Sequence, residues 1–137
     1  MIYLLDAAAL LNDESFSFNI KDKYYTTSQV FDEWKDFRSK SLAQNAFSTG
    51  SLIIQDPCQL SIQKTFEKSG QSNTVLSDPD ISIVALAAEF KERGEKFIVI
   101  TDDYSVQNVL KKINVKFIGV AQGEIKKHRD FSKKRHS

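Results

Sequence analysis

Cys58 is the only cysteine in the chain. No internal disulfide can form, and no CxxC pair exists to hold zinc. Cysteine used so sparingly fits a reducing compartment, so an intracellular, cytoplasmic setting is the expectation. Histidine is almost as scarce: His128 and His136 both lie near the C-terminal end. No histidine stands where it could serve a central acid–base role, which argues against a Ser–His hydrolase. Neither GxGxxG nor GxxxxGK[ST] occurs, so nucleotide cradles of those kinds are excluded. No apolar run approaches the roughly 20 residues needed to cross a bilayer, so no membrane partner is expected. Residues 1–6 follow a strand pattern with no basic region ahead of them, which does not fit a secretory signal. There is no internal repeat and no low-complexity stretch apart from a basic C-terminal segment.

The sequence has 137 residues, of which 27% are charged and 41% hydrophobic. That suits one globular domain with a single core. The net charge of +1 says little, but its distribution says more. Lys126, Lys127, Arg129, Lys133, Lys134 and Arg135 stand against only Glu124 and Asp130 within residues 124–137. A basic tail of that kind on a slightly acidic body, residues 1–123, suggests a polyanionic partner.

Hydrophobic patterning divides the body into short apolar runs alternating with helical stretches. Residues 2–5 are apolar and end at Asp6; residues 7–11 favour a helix. Residues 12–22 form a polar loop anchored by Phe16 and Phe18. A short strand is expected at 24–26. Thr27 or Ser28 can cap a helix carrying Val30, Phe31, Trp34 and Phe37, with Glu33 bordering that apolar face. A second helix over 39–48 turns Leu42, Ala43, Ala46 and Phe47 inward and stops at Gly50. Residues 52–54 are another apolar run, stopped at Asp56-Pro57. Residues 59–68 are helical in pattern with Leu60, Ile62 and Phe66 as the apolar side, and 69–74 read as a loop. Ser77 caps a long helix over 81–93, with Pro79 in its first turn, Ile83, Leu86, Ala87 and Phe90 buried, and Gly94 as its stop. The run 97–100 ends at Thr101, Asp102 and Asp103; a helix follows over 105–113, closed by Asn114, then a last strand over 116–120. Strands alternating with helices mean a parallel α/β fold, and strands this apolar mean a sheet covered on both sides.

Ligands of such sheets bind beyond the carboxyl ends of the strands. Asp6 and Asp102 each follow a strand, and the two strands should be neighbours. Asp80 opens a helix and Glu33 lies on one, within reach of the same edge. Turn and capping chemistry could account for any one of these acids. Together they raise a physical problem: two carboxylates about 4 Å apart repel by roughly 4 kcal/mol at an effective dielectric near 20. A divalent cation removes it, and carboxylate oxygens suit Mg²⁺ or Mn²⁺. Acids without histidines at strand ends favour metal-assisted phosphodiester cleavage.

Four stretches resemble, in order, the motifs of the PIN-domain ribonucleases. Residues 2–11, Ile-Tyr-Leu-Leu-Asp-Ala-Ala-Ala-Leu-Leu, resemble the first; Ser-Gln-Val-Phe-Asp-Glu over 28–33 resembles the second. Leu-Ser-Asp-Pro-Asp and the apolar helix after it, 76–87, resemble the third. Thr-Asp-Asp-Tyr-Ser-Val-Gln-Asn over 101–108 resembles the fourth, in a wording similar to the archaeal Nob-type endonucleases of small-subunit ribosomal RNA 3′-end maturation. The resemblance implies a PIN-like three-layer sandwich over residues 1–123 and a metal-dependent endoribonuclease. It implies Asp6, Glu33, Asp80, Asp102 and Asp103 as catalytic residues, all but Glu33 as metal ligands. Thr101 would be the supporting hydroxyl. The cofactor would be Mg²⁺ or Mn²⁺, and the partner precursor small-subunit ribosomal RNA or the immature small subunit. The tail cations named above would contact RNA. A homodimer, a VapC-type toxin ribonuclease acting on tRNA or mRNA, and a non-cleaving rRNA-binding module stay open as alternatives. Two departures stand out. Ala8 replaces the Ser or Thr usual two residues after the first Asp, and the single Cys58 cannot supply the zinc ribbon common in Nob-type proteins.

Overall fold

Short β-branched and aromatic runs pair side by side into one sheet. A computed structural model of the chain describes residues 1–11, 16–71 and 75–120. Among them are β1 (Ile2–Leu5), β2 (Lys23–Thr26), β3 (Leu52–Ile54), β4 (Phe97–Ile100) and β5 (Phe117–Ile118), all parallel, in the order β3-β2-β1-β4-β5. The helices are α1 (Ala8–Leu11), α2 (Ser28–Glu33), α3 (Phe37–Thr49), α4 (Gln59–Gln71), α5 (Asp78–Glu92) and α6 (Tyr104–Lys112). The chain runs outward from β1 to β3, then returns to the other side of β1 for β4 and β5. Right-handed crossovers therefore place the helices before and after that return on opposite faces of the sheet. The reversal falls between β1 and β4, whose register pairs Leu4 with Val99 and Leu5 with Ile100. That boundary is the place where parallel sheets open a crevice for ligands.

α5 is the spine of the core. Ile81 through Ala87 are all buried, and the helix packs on α2, α4, α6 and β1. Burial on nearly every side explains why the sequence there is almost continuously apolar. Ser77 caps it, accepting the amide of Asp80 through its hydroxyl. Gly50, at φ 86°, supplies the left-handed residue that ends α3, and Asn114 does the same after α6 at φ 57°.

Several boundaries differ from the sequence expectation. The helix meant to carry Phe37 stops at Glu33, because Asp36 caps a new helix by accepting the Ser39 amide at 2.9 Å. Phe37 is then left 87% exposed, and Phe47 is also exposed instead of inward. α4 continues through Gly70 to Gln71, where a loop was expected. Its apolar side is not its buried side: Thr65 and Ser69 face inward, while Leu60 and Phe66 are exposed. The rotation is set at its start, where the Cys58 amide donates to Glu89 of α5 at 2.7 Å and the Asp56 carboxylate accepts the Ser28 amide at 2.8 Å. The six tail cations from Lys126 to Arg135 lie outside the described residues.

Leu86 is fully buried at the centre of α5. Leu86→Ala is expected to cost about 2–5 kcal/mol. Urea unfolding should show it as a lower midpoint with an unchanged slope.

Candidate active site

Asp6 is the first residue after β1, and it is buried to 1% exposure. Its position is forced by the chain. The Asp6 amide still pairs with Ile100 of β4, while its carbonyl already accepts the Ala9 amide of α1. Its carboxylate Oδ1 also accepts the Ala9 amide, at 3.1 Å, and Oδ2 accepts the hydroxyl of Thr101. Thr101, fully buried after β4, is itself fixed on every side. Its amide donates to Ile118, its carbonyl accepts the Gln107 side chain at 2.9 Å, and its hydroxyl accepts the Asp103 amide at 3.0 Å. One threonine thus ties Asp6 to the start of α6. The hydroxyl lost at Ala8 has a counterpart here, arriving from the neighbouring strand.

Asp103 caps α6. Its Oδ1 accepts the amides of Ser105 at 2.8 Å and Val106 at 3.4 Å. Asp80 occupies the third position of α5, and its carboxylate accepts hydrogen bonds from Ser77 in return for the cap, a reciprocal capping box. Asp6, Asp80 and Asp103 therefore stand at the N-terminal ends of α1, α5 and α6, where backbone amides favour negative charge. The three acids repel one another, and Glu33, exposed at the end of α2, adds to the repulsion at Asp80. Burial raises the Asp6 pKa from 3.8 to about 7; the Thr101 hydroxyl lowers it, the Asp80 charge raises it, the Ala9 amide lowers it and the Asp103 charge raises it. Burial likewise pushes the Asp80 carboxyl up, against Ser77 and with Asp103.

The adjacent pair separates. Asp103 faces Asp6 and Asp80, whereas Asp102 is exposed and its Oδ1 accepts the Val120 amide at 3.0 Å, beyond β5. Successive side chains diverge at the end of a strand, so the backbone that delivers Asp103 to the cluster must turn Asp102 away. Both acids are candidates, with unequal roles expected and Asp103 favoured; here Asp103 faces the other acids and Asp102 fastens the end of β5. Trp34, expected only as core, also donates from Nε1 to the Ala7 carbonyl at 3.0 Å and so holds the start of α1 beside Asp6. The pairing of Ser77 with the Asp80 carboxylate was not foreseen, because capping residues carry no signal of what their partners do.

Among the described residues, no lysine, arginine or histidine forms an ion pair with these acids. Nor do three or more of them close into a ready-made metal cage. The donor set is still one that a hard divalent cation fits: carboxylate oxygens only, mutually repelling, with one member driven toward its neutral form. The larger cavity, about 730 Å³ between α4, α5 and α6, touches none of these acids. Chemistry, not volume, locates the site.

A parallel α/β sheet whose switch point carries converging carboxylates, with no ion pair to them among the described residues, is the frame of a nuclease-type acidic centre. The chain belongs to the PIN-domain family: the family described as "PIN domain of ribonuclease" matches residues 3–90, a span that includes Asp6, Glu33 and Asp80. It is similar to an "Endoribonuclease Nob1" of Methanocaldococcus jannaschii, with 32% identity over 120 residues, 88% of this chain and 57% of that protein. A protein of the same name from Pyrococcus abyssi is 31% identical over 122 residues, 88% of this chain and 73% of that one. The chain thus spans little more than half of the first relative. The fold is also that of VapBC2 from Rickettsia felis, solved bound to a promoter DNA fragment. The TM-score is 0.58 at 14% identity, covering 87% of this chain and 98% of that one.

Because Asp6 holds its proton to about pH 7 when folded but releases it near 3.8 when unfolded, the native state binds the extra proton in between. Metal-free stability therefore falls as pH rises from about 4 to about 7, and the full penalty persists above that. Asp6→Asn should remove the penalty. Urea titrations without metal are expected to show the variant more stable than the parent by roughly 1–3 kcal/mol near pH 8, with the gain vanishing near pH 4. An equal difference at both pH values would show that Asp6 ionises freely.

Proposed function

We propose that this chain is a divalent-metal-dependent endoribonuclease that hydrolyses RNA phosphodiester bonds. Its proposed substrate is precursor small-subunit ribosomal RNA, cut at the 3′ end during ribosome assembly. The observation that carries the reading is the convergence of Asp6, Asp80 and Asp103, from three distant parts of the chain, with no ion pair to any of them among the described residues. The similarity to proteins named Endoribonuclease Nob1 supports both the reaction and the substrate class.

Asp6, Asp80 and Asp103 would hold Mg²⁺ or Mn²⁺, whose oxygen preference matches theirs. When bound, the ion supplies charge neutralisation at the phosphate and acidifies a water. The chain does the rest. The Ala9 amide and the Thr101 hydroxyl fix the two oxygens of Asp6, and the amides of Ser105 and Val106 fix Oδ1 of Asp103. Glu33, exposed at the end of α2, would orient the attacking water and take its proton. Water oxygen bonds to phosphorus as the bond to the leaving ribose oxygen breaks. Single-stranded RNA suits a recessed acidic site, because a duplex cannot be threaded into it. The tail cations Lys126, Lys127, Arg129, Lys133, Lys134 and Arg135 would follow the phosphate backbone and offset the repulsion between RNA and the acids.

A cleavage assay with Mn²⁺ on RNA spanning the small-subunit 3′ end tests this. The parent is expected to cut, Asp6→Asn to lose at least about 100-fold in rate, and Asp102→Asn to stay within about threefold. Salt-sensitive binding without cutting would sink the nuclease in favour of a binding module. Cutting of tRNA or mRNA with no preference for this junction would remove the ribosomal substrate and leave the nuclease. Neutralising the six tail cations should also flatten the log–log salt dependence of RNA binding by up to about 4.

A further inference from the structure

Beside the acids lies a second cleft, about 600 Å³, between α2, α4 and α5. Its walls are unusual for their amides: Gln29 comes from α2, and Gln59 and Gln63 from α4. Phe66, 65% exposed, continues the same stripe of α4, since positions 59, 63 and 66 share one helical face. The buried side chain of Ile81 forms part of the floor, and Asp78 stands at one edge.

The cleft adjoins the acidic centre through the chain itself. Asp78 and Ile81, which line the cleft, and Asp80, which does not, all belong to the first turn of α5, on different sides of it. On α2, Gln29 precedes Glu33 by one turn and shares its face, about 6 Å along the axis. The hydroxyls of Thr27 and Ser82, 2.6 Å apart, lock α2 to α5 beneath. The link between the acids and the cleft therefore runs along α2, from Glu33 to Gln29.

Its chemistry selects which part of a nucleotide it takes. Among the described residues no lysine or arginine lines it, and Asp78 would repel a phosphate. The three amides each offer a donor and an acceptor, the pattern that reads base edges and the ribose 2′-hydroxyl. None of them is committed to another hydrogen bond among the described residues. Phe66 offers an open aromatic face, on which a base can stack. The rotation of α4 that turns Thr65 and Ser69 inward is what leaves this stripe facing out. We propose that the cleft between α2, α4 and α5 is a base-and-ribose subsite, holding the nucleotide next to the scissile phosphate and setting base preference at the cut. This deepens the nuclease reading and rests on it for the position of the phosphate.

The test uses the full chain in EDTA, with AMP, GMP, CMP and UMP as probes and ribose 5-phosphate as the abasic control. Side-chain amide resonances of Gln29, Gln59 and Gln63 are expected to shift with at least one nucleotide and not with the control. Gln63→Leu and Phe66→Ala should each weaken that response about tenfold. With Mn²⁺ and RNA, the same variants should raise KM about tenfold, leave kcat within about twofold, and broaden base preference. An equal response to ribose 5-phosphate, or unchanged KM in both variants, overturns the proposal. So does silence of the amides toward all four nucleotides, which would leave Leu60 and Phe66 as a protein-contact face. If the parent cuts RNA while the amides stay silent, the nuclease stands and the subsite falls. If the amides respond and the parent does not cut, the nuclease falls and the cleft stands as a nucleotide site.

Discussion

Repulsion among buried and half-buried carboxylates at the boundary of β1 and β4 is the constraint on which the rest of the molecule turns. A carboxylate at 1% exposure is costly to ionise, and two neighbours of the same sign make it costlier. The fold tolerates the arrangement by aiming backbone amides at each acid. Ala9 serves Asp6, Ser105 and Val106 serve Asp103, and Ser77 serves Asp80. These donors stabilise the acids without cancelling their charge. The cluster is therefore strained toward whatever positive charge arrives, and stability has been traded for that readiness.

Rigidity follows from the same contacts. Thr101 is bonded at its amide, its carbonyl and its hydroxyl, and it links the ends of β1, β4 and β5 to the first turn of α6. The acids thus ride on strand ends and helix starts, not on long loops. Such placement keeps reacting groups within tight tolerance without help from the ligand. α5 contributes twice: its middle is core, and its first turn carries Asp80 on one side and a cleft wall on the other. Shifts in the packing of Leu86 or Ile83 would reach both. Among the described residues, the acids and the amide-lined cleft draw on the same two helices, α2 and α5. One part is suited to charge and the other to hydrogen-bonding, stacking chemistry.

The strands, the parallel class, the cap at Ser77 and the acids at the strand ends were legible in the chain, because each depends on residues close together in sequence. β-branched runs stop where carboxylates begin, and Ser-Asp-Pro-Asp announces a helix start wherever it occurs. Glu33 was legible for a different reason, its place in a family pattern. That Asp102 and Asp103 would part was legible from their adjacency, and the family spacing after Thr101 favoured Asp103; what Asp102 does instead was not, since only the position of Val120 decides it. The burial of α4 was misread as well. Leu60, Ile62 and Phe66 form a convincing apolar side, but hydrophobicity does not rotate a helix whose N-terminus is already pinned to Glu89 and whose approach is tied to Ser28.

What the sequence determined by itself is the inventory: five apolar runs, their order, and acids spaced so that each closes or opens an element. Local preferences suffice for that, because turns, caps and short strands are set by neighbours. What only the tertiary structure decided is which acids meet. Strand order places β1 beside β4 across nearly a hundred residues of chain, and a hydroxyl from one reaches the carboxylate of the other. Charge repulsion acts through space and not along the chain, so its pattern emerged only once the sheet was assembled.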